Sequence, residues 1–132
     1  MLASVDDVRL SFEQSPYFQH IGFEIIRFEE GDVLLKLAVT DKLRNVNGTL
    51  HGGVHASMID LILGMTIRSA TKTRCSTINL NVHYLAPVSG GDLYAKGKLL
   101  QQGYKIVTAE AEMYDTEGVM AAKGMGTFKL IR

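Results

Sequence analysis

The order of apolar and polar positions divides the chain into a helical beginning, a hairpin, one long helix and a β-rich remainder. Val5, Val8 and Phe12 recur at helical spacing behind Ser4, a natural N-cap, and Pro16 is expected to end that segment. Residues 23–28 and 33–39 are β-rich runs, and Glu29-Glu30-Gly31-Asp32 reads as the turn of a hairpin between them. A polar loop over 41–50 follows. From Gly52 onward Val54, Met58, Ile59, Ile62, Leu63, Met65 and Ile67 leave little polar face. A helix apolar on nearly all sides is expected to be buried on nearly all sides.

Beyond it the period changes to two. Ile78, Leu80, Val82 and Tyr84 should share one face of a strand, and Thr77, Asn79, Asn81 and His83 the other. Three further β-runs at 93–101, 105–115 and 119–131 are joined by short turns, which favours an antiparallel meander. The predicted order α-β-β-α-β-β-β-β is an α+β fold, with one sheet of five or six strands and a central helix.

Composition narrows the setting. The 132 residues suit one domain over 1–132, and 46% hydrophobic with 21% charged residues is a globular balance. Lys+Arg 14 cancels Asp+Glu 14, so no net field favours nucleic acid or an anionic membrane as partner. No apolar run approaches the ~20 residues of a membrane helix. The single Cys75 can form no internal disulfide and fits a reducing, cytoplasmic compartment.

Asp60 is the most informative residue, the one charge between His55 and Arg68 on the most apolar helix. A carboxylate there is costly unless it is bonded or protonated. It is either a hydrogen-bonded anchor or, with a pKa raised by burial, a base suited to activating water. The loop from Asn45 through Gly48-Thr49-Leu50-His51-Gly52-Gly53 opens directly into the helix. Unpaired N–H groups at such a start favour a phosphate or a developing oxyanion. Gly-Gly is a poor helix start by propensity, so close approach of backbone or substrate is the alternative reason for it.

Gly52 and Asp60 are eight residues apart, roughly 12 Å of helical rise. One carbonyl cannot touch both within one chain. If they cooperate, a second copy supplies one of them, most simply through antiparallel helices about a twofold axis. His51 and His55 have the spacing of a zinc pair but lack the general-base Glu of a metalloprotease, so no metal is expected. His51 then shapes the loop or hydrogen-bonds across it, and His55 reads as a satisfied core histidine. Cys75 is either activated by Lys72 and Arg74 or simply a small buried residue. Gly124-Met125-Gly126 lies within a β-run and is no dinucleotide fingerprint. Lys105, beside Tyr104, is either a surface residue or a contact for a ligand phosphate.

Asn45, the run Gly48-Thr49-Leu50-His51-Gly52-Gly53 and Asp60 resemble the hotdog-fold thioesterases of the PaaI-like and thioesterase-superfamily-member-2 type. The likeness continues through Asn81-Val82-His83-Tyr84-Leu85-Ala86-Pro87, Gly91-Asp92 and Gly126-Thr127-Phe128. The resemblance implies a hotdog fold, with the sheet wrapped round the long helix, and a dimer or a dimer of dimers. It implies acyl-CoA hydrolysis without a cofactor. Gly52 N–H would polarise the carbonyl, and Asn45 would place substrate or water. Asp60 of the partner copy would be base or nucleophile. Thr77 stands where relatives often carry Ser. His51 and Gly53 would adjoin the substrate, and Met58, Ile62 or Met65 would line an acyl channel or be ordinary core. A hotdog protein that binds acyl-CoA without turnover is the alternative.

Overall fold

The computed structural model describes residues 3–132. Helix α1 (Val5–Glu13) begins with a reciprocal cap. The Ser4 hydroxyl accepts from Asp7 N–H at 3.0 Å, and the Asp7 carboxylate accepts from Ser4 N–H at 3.2 Å. Helix α1 ends ahead of Pro16, as expected, but Pro16 then opens a second helix, α2 (Pro16–Ile21), because a proline at the first helical position loses an N–H that would bond nothing there. Gly22, at φ 95°, then turns the chain into β1.

Strands β1 (Phe23–Glu29) and β2 (Asp32–Ala38) form the expected hairpin. After a short 3-10 turn come α3 (Gly52–Thr71) and four strands: β3 (Cys75–Tyr84), β4 (Asp92–Gln102), β5 (Ile106–Asp115) and β6 (Met120–Leu130). They make one antiparallel sheet of order β1-β2-β4-β5-β6-β3. The meander holds for β4 to β6 only. β3 pairs with β6 at the far edge, because α3 carries the chain from β2 across the sheet before β3 begins.

Met58, Ile59, Ile62, Leu63, Met65 and Ile67 of α3 are fully buried among Leu35, Leu37, Leu93, Ala109 and Met113 from the sheet. Glycines set how close the helix lies. A Cβ at Gly124 would stand 2.9 Å from the Asn81 carbonyl oxygen and against Ile59, and one at Gly97 would strike Thr66. This α+β arrangement, a six-stranded antiparallel sheet with one long helix across it, is the hotdog fold that the resemblance implied.

Two sequence expectations need correction. α3 is not buried all round: Gly53 is exposed, and Ala56, Ser57, Asp60 and Leu61 are half-buried. Nor does β3 alternate from end to end. A bulge at Ile78 shifts the register between Thr77, opposite Phe128, and Asn79, opposite Thr127. The extra residue sends Ile78 outward and puts Thr77 on the helix side with Leu80, Val82 and Tyr84.

Candidate active site

The loop ahead of α3 is shaped by its own polar groups. The Asn45 side-chain oxygen accepts from the N–H of Asn47 at 2.9 Å and of Thr49 at 3.1 Å. Arg44 pairs with Asp41 and donates to the Ser89 carbonyl at 2.8 and 3.1 Å. Backbone bonds from Leu50 to the Val88 carbonyl (2.7 Å) and from His51 to the Leu43 carbonyl (2.9 Å) fix its far end.

His51 is the N-cap of α3. Its Nδ1 accepts from Gly53 N–H at 2.8 Å, and its carbonyl takes the N–H of Val54 at 2.9 Å and of His55 at 3.3 Å. Gly52 N–H is left without an acceptor among the described residues, at the positive end of a 20-residue helix. The second glycine makes the cap possible, since a Cβ at Gly53 would stand 3.0 Å from His51 Nδ1. His51 and the Gly53 N–H, both expected to adjoin the substrate, are thus bonded to each other. Tyr84 leans over the first glycine, its hydroxyl donating to the Gly52 carbonyl at 3.3 Å.

Two turns along, half-buried Asp60 faces the open side of α3, and Thr77 Oγ1 donates to its Oδ1 at 2.7 Å. The bulge in β3 makes this contact, turning toward the helix a hydroxyl that strict alternation would send away from it. Tyr17 of α2 reaches the same side, its hydroxyl 2.7 Å from Ser57 Oγ. That contact was not anticipated, although Ser15 before Pro16 is the signature of a second helix start.

Met58, Ile62 and Met65 do not line an open channel. They lie at 0% exposure on the sheet side of α3, the face opposite Asp60, and are core. Lys105 is exposed at the sheet end where β3 begins, in the cross-strand neighbourhood of Lys129 and Ser76. Cys75 is not activated by its basic neighbours: burial pushes its pKa up to about 11, against the smaller opposing pull of Arg68. His55 is 4% exposed, and burial lowers its pKa against a smaller opposing effect of the His51 carbonyl. No helix among the described residues is long and apolar enough to cross a membrane.

A capped helix N-terminus with a free N–H can polarise a carbonyl, and a hydroxyl-bonded carboxylate can accept a proton. The Thioesterase superfamily profile matches residues 47–122, the segment holding Gly52, Asp60 and Thr77, and the chain belongs to that superfamily. A Saccharolobus solfataricus relative, SSO1253, whose name proposes no more than an esterase, is 29% identical over 99% of this chain and 88% of its own. The medium/long-chain acyl-CoA thioesterase YigI of Escherichia coli is 29% identical over 86% of this chain and 84% of its own. Among solved structures, Escherichia coli PaaI from the phenylacetic acid degradation operon superposes with a TM-score of 0.89 at 20% identity, covering 96% of this chain and 92% of that one. Zebrafish thioesterase superfamily member 2 does so at 0.86 and 24%, covering 98% and 99%. Both share the fold.

Proposed function

We propose that this protein is an acyl-CoA thioesterase with its active sites formed between two copies, hydrolysing an aryl- or medium-chain acyl-CoA to the free acid and CoA. The observation that carries this reading is the unengaged Gly52 N–H at the start of the helix that also bears Asp60. The two are roughly 12 Å apart in rise, so they act on one carbonyl only when α3 of a second copy runs antiparallel beside the first. The open side of α3 and the unpaired outer edge of β3 support such an assembly.

Gly52 N–H donates to the thioester carbonyl oxygen, and that bond strengthens as the oxygen gains negative charge. Asp60 of the other copy takes a proton from water while the water oxygen bonds to the carbonyl carbon. Collapse of the tetrahedral intermediate breaks the C–S bond, and the proton passes to the departing CoA sulfur. Thr77 holds one Asp60 oxygen and leaves Oδ2 for the water. Attack by Asp60 itself, through a mixed anhydride that water then opens, uses the same positions. Asn45 Nδ2 donates to Thr49 Oγ1 at 3.1 Å and keeps a second N–H to orient substrate or water. Lys105 and Arg132, whose guanidinium covers the Tyr104 ring at 4.5 Å, offer cations to the CoA phosphates. The scheme uses no metal or redox cofactor. YigI, by its name, lends support for the substrate class.

The test is thiol release from a panel of aryl- and alkyl-CoA thioesters by wild type and Asp60→Asn. The Thr77 hydroxyl can still donate to the Asn carbonyl oxygen, so the variant should fold and bind. Its turnover should fall by about 10²–10⁴-fold. Saturable acyl-CoA binding by wild type without turnover of any thioester would mark a binding protein instead.

A further inference from the structure

His55, a lining residue of the candidate site, holds an unused hydrogen-bonding atom. It is 4% exposed, one helical turn beyond Gly52 and on the same side of α3. Its Nδ1 lies 3.3 Å from the His51 carbonyl oxygen. A carbonyl only accepts, so that nitrogen bears the proton, and a neutral ring then presents Nε2 as a bare acceptor. Burial keeps the ring neutral by lowering its pKa. Nε2 is buried with no hydrogen-bond partner among the described residues. The ring packs in a T-shaped pair with Tyr84, centroids 5.5 Å apart at 78°. Together His55 and Tyr84 line a cavity of about 310 Å³ with Asn45, Leu50, Gly52 and Pro87.

Buried acceptors are seldom left empty, because an unmet one forfeits the hydrogen bond that water gave it in the unfolded chain. This one lies roughly 4.5 Å of helical rise from the N–H assigned to the carbonyl. On the thioesterase reading, we propose that His55 is a specificity residue, its Nε2 accepting from an N–H or O–H that the substrate carries close to its thioester. Two parts of an acyl-CoA offer such a donor: a hydroxyl on the acyl group, and the pantetheine amide nearest the sulfur.

The experiment compares kcat/KM within matched pairs for wild type, His55→Gln and His55→Leu. One pair is butyryl-CoA against 3-hydroxybutyryl-CoA. The other is an N-acetylcysteamine thioester against the equally long alkyl thioester that lacks the amide. Preference is a ratio within each protein, so a partly unfolded variant does not distort it. Wild type should favour the donor-bearing member of one pair by about tenfold or more. Leu should lose that preference, and Gln, whose oxygen reaches the Nε2 position, should keep part of it. The pair that responds identifies the acyl or the pantetheine source. As a second readout, the His55 Nε2 ¹⁵N resonance of wild type should move with a ketone analogue bearing the donor and stay put with one lacking it.

Turnover with equal preferences in wild type and Leu, and an unmoved resonance, would overturn the assignment while leaving the thioesterase reading standing. No turnover of any thioester by wild type would overturn both.

Discussion

At the scale of single residues, the candidate site pairs groups whose surroundings suit them to different work. Thr77 restrains one oxygen of Asp60 at 2.7 Å, while the thiol of Cys75, two residues earlier, is silenced. With its pKa near 11, Cys75 is almost wholly protonated at pH 7.5, and the thiolate is the reactive form. Native protein should alkylate with iodoacetamide well over tenfold more slowly than protein unfolded in urea, as read by mass spectrometry. His55 supplies a pH signature. Its folded pKa lies below its unfolded value of about 6.5, so the unfolded state binds the extra proton and stability falls as pH drops below about 6.5. His51 and Tyr84, which face it, remain in a His55→Gln variant. Urea midpoints measured from pH 7.5 down to 5.5 should therefore fall more steeply for wild type than for that variant. The glycine-rich start of α3 and the isolation of Asp60 upon it were readable from residue order. The commitment of Gly53 N–H to His51 was not, because it depends on the χ angles of one ring.

At the scale of elements, two local departures from regularity do most of the positioning. The bulge at Ile78 aims Thr77 at α3, and β6 glycines let α3 settle on the sheet. Gly124→Ala should destabilise the protein by about 1–3 kcal/mol, measured by urea unfolding, since the added methyl meets a backbone oxygen that cannot step aside. An Ala at Gly118, in a turn with open space around it, offers a control for φ strain without overpacking, at φ 84°. Strand positions were legible because period-two burial recurs in β1, β2, β5 and β6. The bulge was not, since one inserted residue leaves composition and hydrophobicity unchanged. Helix α2 is not legible from the stop alone: Pro16 both follows the end of α1 and, at a first helical position, starts α2.

At the scale of the whole molecule, the proposed function requires a second copy to complete the site, at the open side of α3 and the outer edge of β3. Mixed assemblies test this directly. Gly52→Pro removes the polarising N–H while keeping a residue tolerated at the first helical position, and Asp60→Asn removes the base. Each variant alone should be nearly inactive. Refolded together in equal amounts, they should recover about a quarter of wild-type activity, because half the dimers are mixed and each mixed dimer has one intact site. Recovery at background level would overturn the shared site.

Residue order alone determined the α+β class, the long apolar helix, the glycine-rich start of that helix and the isolation of Asp60 upon it. These follow from periodicity, capping chemistry and the cost of a charge on an apolar helix, all local along the chain. Tertiary structure decided the sheet order with β3 at the far edge, the burial of Met58, Ile62 and Met65, the approach of Thr77 to Asp60 and the empty acceptor of His55. Each of those depends on which distant segments α3 brings together, and no local pattern encodes the path of a helix across a sheet.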